Sequence, residues 1–162
     1  MYKTGDPLAN LIDPSTNNTN GSGSDSETLY YKGFVMIGTI QIPKTNVDLP
    51  ILGTVSKGAL EASVVMQYGA GLNQPGNSVI IGHNYRNGLF FSNNKNLEVG
   101  DKVHIKDQTG TTLTYTIYSK FETDENDASF FDRDTGGRPE ITLSTCTDNN
   151  PQRRIILLAR AD

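Results

Sequence analysis

The sequence predicts an all-β domain, a barrel or a sandwich, behind a polar N-terminal linker. Three observations predict it. From about Leu29 onward the chain is a series of short alternating or apolar runs, each broken by glycine, proline or asparagine. Helix-length periodic stretches are scarce. Before that point the run Asp13–Ser26 contains no apolar residue, so it has nothing to bury against the entropy of ordering.

The elements follow in order. Residues 1–28 read as a flexible Gly/Ser/Asn tether, and residues 29–162 as the folded domain. Asn17 and Asn20 match the N-glycosylation pattern, which is common by chance. Gly38–Pro43 alternates and stops at proline; Asn46–Leu52 is a second extended run. Ser56 can cap a helix of two turns over Lys57–Val64. Ser78–Gly82 is a continuous apolar run ending in glycine, as in a buried strand. Leu89–Asn94 and Asp127–Asp132 have room for about a turn each. Asp101–Lys106 alternates, with Val103 and Ile105 on one face and His104 on the other, toward solvent. Thr112–Phe121 is a long Thr-, Tyr- and Ile-rich strand. Glu140–Thr145 alternates into Cys146, and Arg154–Arg160 is the last strand. Between these, Glu122–Pro139 is a long acidic, turn-rich connection carrying Phe130 and Phe131. It is either a tolerated surface insertion or a loop that faces substrate.

Composition narrows the function. The chain of 162 residues is 35% hydrophobic, and its polar excess is concentrated in the tether, leaving material for one core. A net charge of −4 argues against nucleic acid as a partner, and the adjacent Arg153 and Arg154 are too few for a phosphate footprint. No window holds eighteen consecutive apolar residues and Met1 is followed by a polar stretch, which suits a cytoplasmic protein or one trimmed of an anchor. The single cysteine excludes an intramolecular disulfide.

Cys146 stands at the end of a strand, before the polar segment Thr147–Pro151. A free thiol titrates near ~8.5, so a nucleophilic role requires a neighbouring base or positive charge. His83 ends another strand, behind Gly82, which allows close backbone approach. Arg153 and Arg154 open the last strand and point to opposite faces, so one of them can aim at Cys146 after the loop turns back. A metal site built from Cys146, His83 and Asp148 lacks the close ligand pairs, C-x-x-C or H-x-x-x-H, that structural zinc uses. Glu122, Asp124, Glu125 and Asp127 have the oxygen ligands calcium takes, but read better as a solvated loop. No cofactor is implied.

The motifs resemble those of the sortase family. Thr142-Leu143-Ser144-Thr145-Cys146 is similar to the family's TLxTC signature, Gly82-His83-Asn84 to its His-bearing segment, and Arg154–Ala159 to its Arg-led closing strand. Gly38–Pro43 and Leu49-Pro50-Ile51 resemble its opening strands, and the matches run in family order over roughly residues 35–160. The resemblance implies a closed eight-stranded β-barrel with a few short helices, tethered outside the membrane of a Gram-positive bacterium by an anchor absent from this sequence. It implies a cysteine transpeptidase that cleaves an LPxTG-like sorting motif of secreted proteins and joins the new carboxyl to an amine of the cell wall or a pilin. Carried over, Cys146 is the nucleophile, His83 the proton carrier and Arg154 the oxyanion stabiliser. Arg154 is preferred to Arg153 by counting back from Ala159. Thr145, Asn84, Phe130 and Phe131 are the expected substrate contacts. TLSTC and GHN lean toward class B, whereas the connection Glu122–Pro139 is short for that class and no acidic lid motif is seen. A cysteine hydrolase on the same fold and a non-catalytic surface module are the alternatives.

Overall fold

The computed structural model describes residues 28–85, 89–148 and 150–162; the expected tether lies outside them except for the exposed Thr28. Among the described residues nine strands form: β1 (Leu29–Tyr31), β2 (Phe34–Ile42), β3 (Val47–Leu52), β4 (Val64–Tyr68), β5 (Gly76–Ile81), β6 (Lys102–Asp107), β7 (Thr112–Asp124), β8 (Pro139–Cys146) and β9 (Arg153–Ala161). They hydrogen-bond in the order β1-β2-β3-β4-β5-β8-β9-β7-β6, and a β2–β6 pairing returns the sheet to its start. Eight strands therefore close into a barrel. β1 stays outside the ring, paired with the first residues of β2, while Gly38–Gln41 of β2 pair with β6.

Alternation explains the interior. Ile40 and Ile42, Val103 and Ile105, and Ile141 and Leu143 each sit two apart on their strands, and all are buried in one core cluster. His104 takes the opposite face of β6, half-buried, with Nδ1 2.9 Å from Thr114 Oγ1. The expected helix forms as α1 (Lys57–Ala62), with Ser56 Oγ accepting from the Ala59 amide at 3.0 Å. It ends two residues earlier than the sequence suggests, because Val64 and Val65 leave it to pair with Ile51 and Leu52 as β4. A second, smaller cluster joins α1 to the barrel through Ala59, Ala62, Met36, Leu52 and Val65. Asp127–Asp132 makes a turn closed by Phe131 N–H on the Ala128 carbonyl, and the region after Leu89 makes turns that run into a 3₁₀ turn at Asn94–Asn96.

Two features of this frame bear on the site. β7 runs three residues beyond Phe121, to Asp124, because its end pairs with Glu122↔Ile155, Thr123↔Arg154 and Asp124↔Arg153. The long connection thus contracts to residues 125–138. Second, Gly82 follows β5 where there is no room for a side chain. An added Cβ would lie 2.7 Å from Phe91 Cδ2 and 2.8 Å from Val64 Cγ1. Gly82→Ala is expected to destabilise the domain by about 1–3 kcal/mol through overpacking. Urea titration should show a lower midpoint with an unchanged slope.

Candidate active site

Three neighbouring strands deliver the three residues singled out by their chemistry. β5 and β8 run parallel, in register from Gly76↔Pro139 to Ile81↔Ser144, and the Gly82 amide continues the ladder onto the Ser144 carbonyl at 3.1 Å. His83 and Cys146 each lie two residues past the Ile81↔Ser144 pair, so the register carries them out side by side. β8 and β9 run antiparallel, and Cys146 is directly opposite Arg154. Adjacent strands lie about 4.8 Å apart. His83, Cys146 and Arg154 all line one cleft of about 370 Å³ on the outer face of the barrel.

The guanidinium reaches the sulfur: Arg154 Nη1 lies 3.2 Å from Cys146 Sγ. The same nitrogen donates to the Pro151 carbonyl at 2.6 Å, and Nη2 lies 3.4 Å from Glu125 Oε1. These partners, one on the loop after Cys146 and one on the loop after β7, hold the cation against the thiol. Arg153 has the opposite parity and does not line the cleft; its amide and carbonyl close the Cys146 loop on Asn150 and Thr147. The His83 imidazole packs on Tyr85, ring centroids 4.8 Å apart, and the His83 carbonyl accepts from the Phe91 amide at 3.1 Å.

The expected substrate contacts divide. Phe130 and Phe131 line the cleft as part of an aromatic row, with centroid separations of 5.2 Å for Tyr68–Phe131, 5.4 Å for Phe131–Phe130 and 5.5 Å for Phe130–Phe121. Thr145 also lines the cleft, but is 2% exposed, and its Oγ1 has no hydrogen-bond partner among the described residues. Asn84 is not part of the cleft lining. Its Nδ2 donates to the Cys146 carbonyl at 2.9 Å and to Asp148 Oδ1 at 2.7 Å, so it ties the histidine segment to the cysteine loop. Lys95 holds the other Asp148 oxygen at 2.7 Å.

Of the acidic residues at the end of β7 and in the connection, Asp124, Glu125 and Asp127 line the cleft. Hydrogen bonds from Ser129 in its own loop and from Thr123 at the end of β7 lower the Asp127 carboxyl pKa to about 2. Among the described residues no three His, Cys, Asp or Glu side chains converge on a common point.

Sequence reasoning missed Arg133 and Glu140. Glu140 is buried, and its Oε1 receives Arg133 Nη2 at 2.8 Å, Arg133 Nε at 2.9 Å and the Tyr118 hydroxyl at 2.6 Å. Burial, and then the hydrogen bond to Glu140, pushes the Tyr118 phenol above its ordinary value and keeps it a donor. Arg160 completes the group, 3.5 Å from Glu140 Oε2 and stacked 3.9 Å over the Tyr118 ring. The available signal was parity: Glu140 shares its strand face with Thr142, Ser144 and Cys146.

Comparison with known proteins agrees with this architecture. A family model described as "Sortase domain" matches residues 40–162. Sortase A of Bacillus anthracis is 28% identical over 131 residues, covering 75% of this chain and 58% of that protein, so the chain spans less than two thirds of this relative. Among solved structures, sortase A from Corynebacterium diphtheriae superposes with a TM-score of 0.72 at 27% identity, covering 80% of this chain and 61% of the other. A Clostridium perfringens sortase D5 transpeptidase gives 0.70 at 29% identity, with 78% and 79% covered. Listeria monocytogenes sortase A gives 0.71 at 22% identity, with 78% and 87% covered, and shares the fold. With its closed barrel and a family match over most of its length, this chain belongs to the sortase family.

Proposed function

We propose that the protein is a cysteine transpeptidase that cuts a C-terminal sorting motif of secreted proteins and transfers the acyl fragment to an amine of the cell wall or a pilin. The observation that supports this most is the 3.2 Å contact between Arg154 Nη1 and Cys146 Sγ in a cleft that His83 also lines. A sulfur beside a fixed cation and an imidazole has the setting a thiol nucleophile needs.

The steps follow from the groups at hand. Cys146 passes its thiol proton to His83, Sγ attacks the scissile carbonyl carbon, and the carbonyl electrons move to its oxygen. Arg154 has five N–H donors, of which Nη1 and Nη2 already serve Sγ, the Pro151 carbonyl and Glu125. Its remaining N–H groups receive the oxyanion. Collapse breaks the C–N bond, and His83 gives its proton to the departing amine, leaving a thioester on Cys146. An incoming amine attacks the thioester, His83 takes a proton back, and the Cys146 sulfur leaves. Phe130 and Phe131 supply the apolar wall for the sorting motif. Thr145 and Asn84 support the nucleophile from the barrel mouth and the neighbouring loop. No helix of the described residues is long and apolar enough to cross a membrane.

Transfer separates this reading from plain hydrolysis on the same residues. Peptides carrying LPxTG-like motifs should be cleaved, and added amines should appear joined to the acyl fragment. Cleavage that ignores every amine would instead favour a cysteine hydrolase. Arg154→Ala should lower kcat by roughly 10²–10³-fold, the usual worth of one oxyanion donor. Arg154→Lys should recover little, because an ammonium lacks the planar fork that reaches Sγ and substrate together. Steady-state kinetics of both variants on one peptide tests this.

A further inference from the structure

The face of β8 that ends in Cys146 has a second half. Side chains two apart share a strand face, so Glu140, Thr142, Ser144 and Cys146 form one row. The last two line the cleft; the first two do not. They are covered instead by the connection between β7 and β8, and they are bonded to it. Arg133 donates to Glu140, to the Thr142 hydroxyl at 2.9 Å and to the Phe130 carbonyl at 3.1 Å. Thr142 Oγ1 in turn donates to Asn77 Oδ1 at 2.9 Å, and Asn77 Nδ2 donates to the Phe131 carbonyl at 2.9 Å. One relay therefore grips the carbonyls of two successive residues whose rings line the cleft. Its roots, Asn77, Glu140 and Thr142, are all buried in the barrel wall.

We infer that Arg133, Thr142 and Asn77 are positioning residues for substrate recognition: through the Phe130 and Phe131 carbonyls they fix the aromatic wall over the end of β8 that carries Cys146. Fixing two consecutive peptide planes sets the direction of both side chains. A preorganised wall does not have to be ordered at the moment of binding, which is where affinity is otherwise lost. Thr142, the first threonine of the motif that ends in Cys146, thereby acts on the loop and not on the reacting atoms. The cation of Arg133 is matched by the carboxylate of Glu140, so the relay lies against the barrel without an unpaired charge.

The inference rests on the peptide-cleaving reading for its kinetic arm only. Thr142→Val keeps the shape and removes the hydroxyl that links Arg133 to Asn77; Thr142→Ser restores it. Against an LPxTG-like peptide that the wild type cleaves, Thr142→Val should raise KM by about tenfold, the worth of one or two hydrogen bonds, with kcat changed less than about twofold. Thr142→Ser should return KM to the wild-type value. Hydrogen–deuterium exchange over residues 125–138 should quicken in the valine variant and not in the serine variant. The alkylation rate of Cys146 by iodoacetamide should stay unchanged in both. Arg133→Lys, which keeps a charge beside Glu140 but not the fork, is the second variant and should behave as Thr142→Val if that protein does not fold. Unchanged exchange over 125–138, or a fall in kcat at constant KM, overturns the inference. If the wild type cleaves no such peptide, the proposed function fails, and the exchange result still decides whether the relay holds the loop.

Discussion

Cys146→Ala is expected to remove turnover, by roughly 10⁴-fold or more, because loss of a covalent nucleophile leaves only binding and the remaining polar groups to act. The reason is local. Among the described residues no other side chain combines a nucleophilic atom with the guanidinium contact at 3.2 Å. The fold should survive the change. Cys146 is half-buried at the end of β8, and its sulfur packs against the polar Arg154 and Pro151 and not into the barrel core. Thermal unfolding of the variant should stay within a few degrees of the wild type while peptide cleavage falls to background. Activity retained by this variant would favour a non-catalytic surface module or a different nucleophile.

His83→Ala is the second large effect, expected at about 10²–10⁴-fold in kcat, the range for a general acid–base. Its consequences should differ from those at Cys146 in a telling way. Both chemical steps of the proposed reaction need a proton moved at nitrogen, once to the leaving amine and once from the incoming one. Removing the imidazole should therefore slow acylation and aminolysis together, whereas the sulfur remains open to alkylation by iodoacetamide. Rapid-quench measurement of the two half-reactions with one peptide and one amine checks this. A loss confined to one half-reaction would assign the other proton transfer to a different group. The Phe91 amide on the His83 carbonyl holds the segment through the main chain, so the alanine variant should keep that contact while losing the packing of the imidazole on Tyr85.

Much of this arrangement was legible in the sequence because it obeys period-two rules. Ile141 and Leu143 point inward, so Ser144 and Cys146 must point outward; the same counting puts Arg153 and Arg154 on opposite faces, and the choice of Arg154 came from the family resemblance. Strand ends at Gly82 and Cys146 were visible from composition. What was not visible is non-local. β4 is too short to announce itself after a helix, and it is held between β3, by two parallel pairs, and β5, by three antiparallel ones. β1 and the first half of β2 form a hairpin through Lys32 and Gly33, both at positive φ, that alternation alone did not mark. Asn84 sat beside His83 in the motif, but its hydrogen bond to the Cys146 carbonyl could not be read from the sequence, because it arises from the parallel register of β5 and β8 that brings the two segments together. Arg133 stands in a polar loop like any other surface arginine until the fold brings it against Glu140.

The central claim is that Cys146 carries the acyl group between two amines. Intact-mass spectrometry of the wild-type protein mixed with a sorting-motif peptide, quenched in acid without an added amine, tests it most directly. The account predicts one adduct with the mass of the acyl fragment, mapped to Cys146 by digestion, absent from Cys146→Ala and discharged by hydroxylamine. Peptide cleavage proceeding in the wild type with the protein mass unchanged at every time point, or the same adduct on the alanine variant, would contradict it.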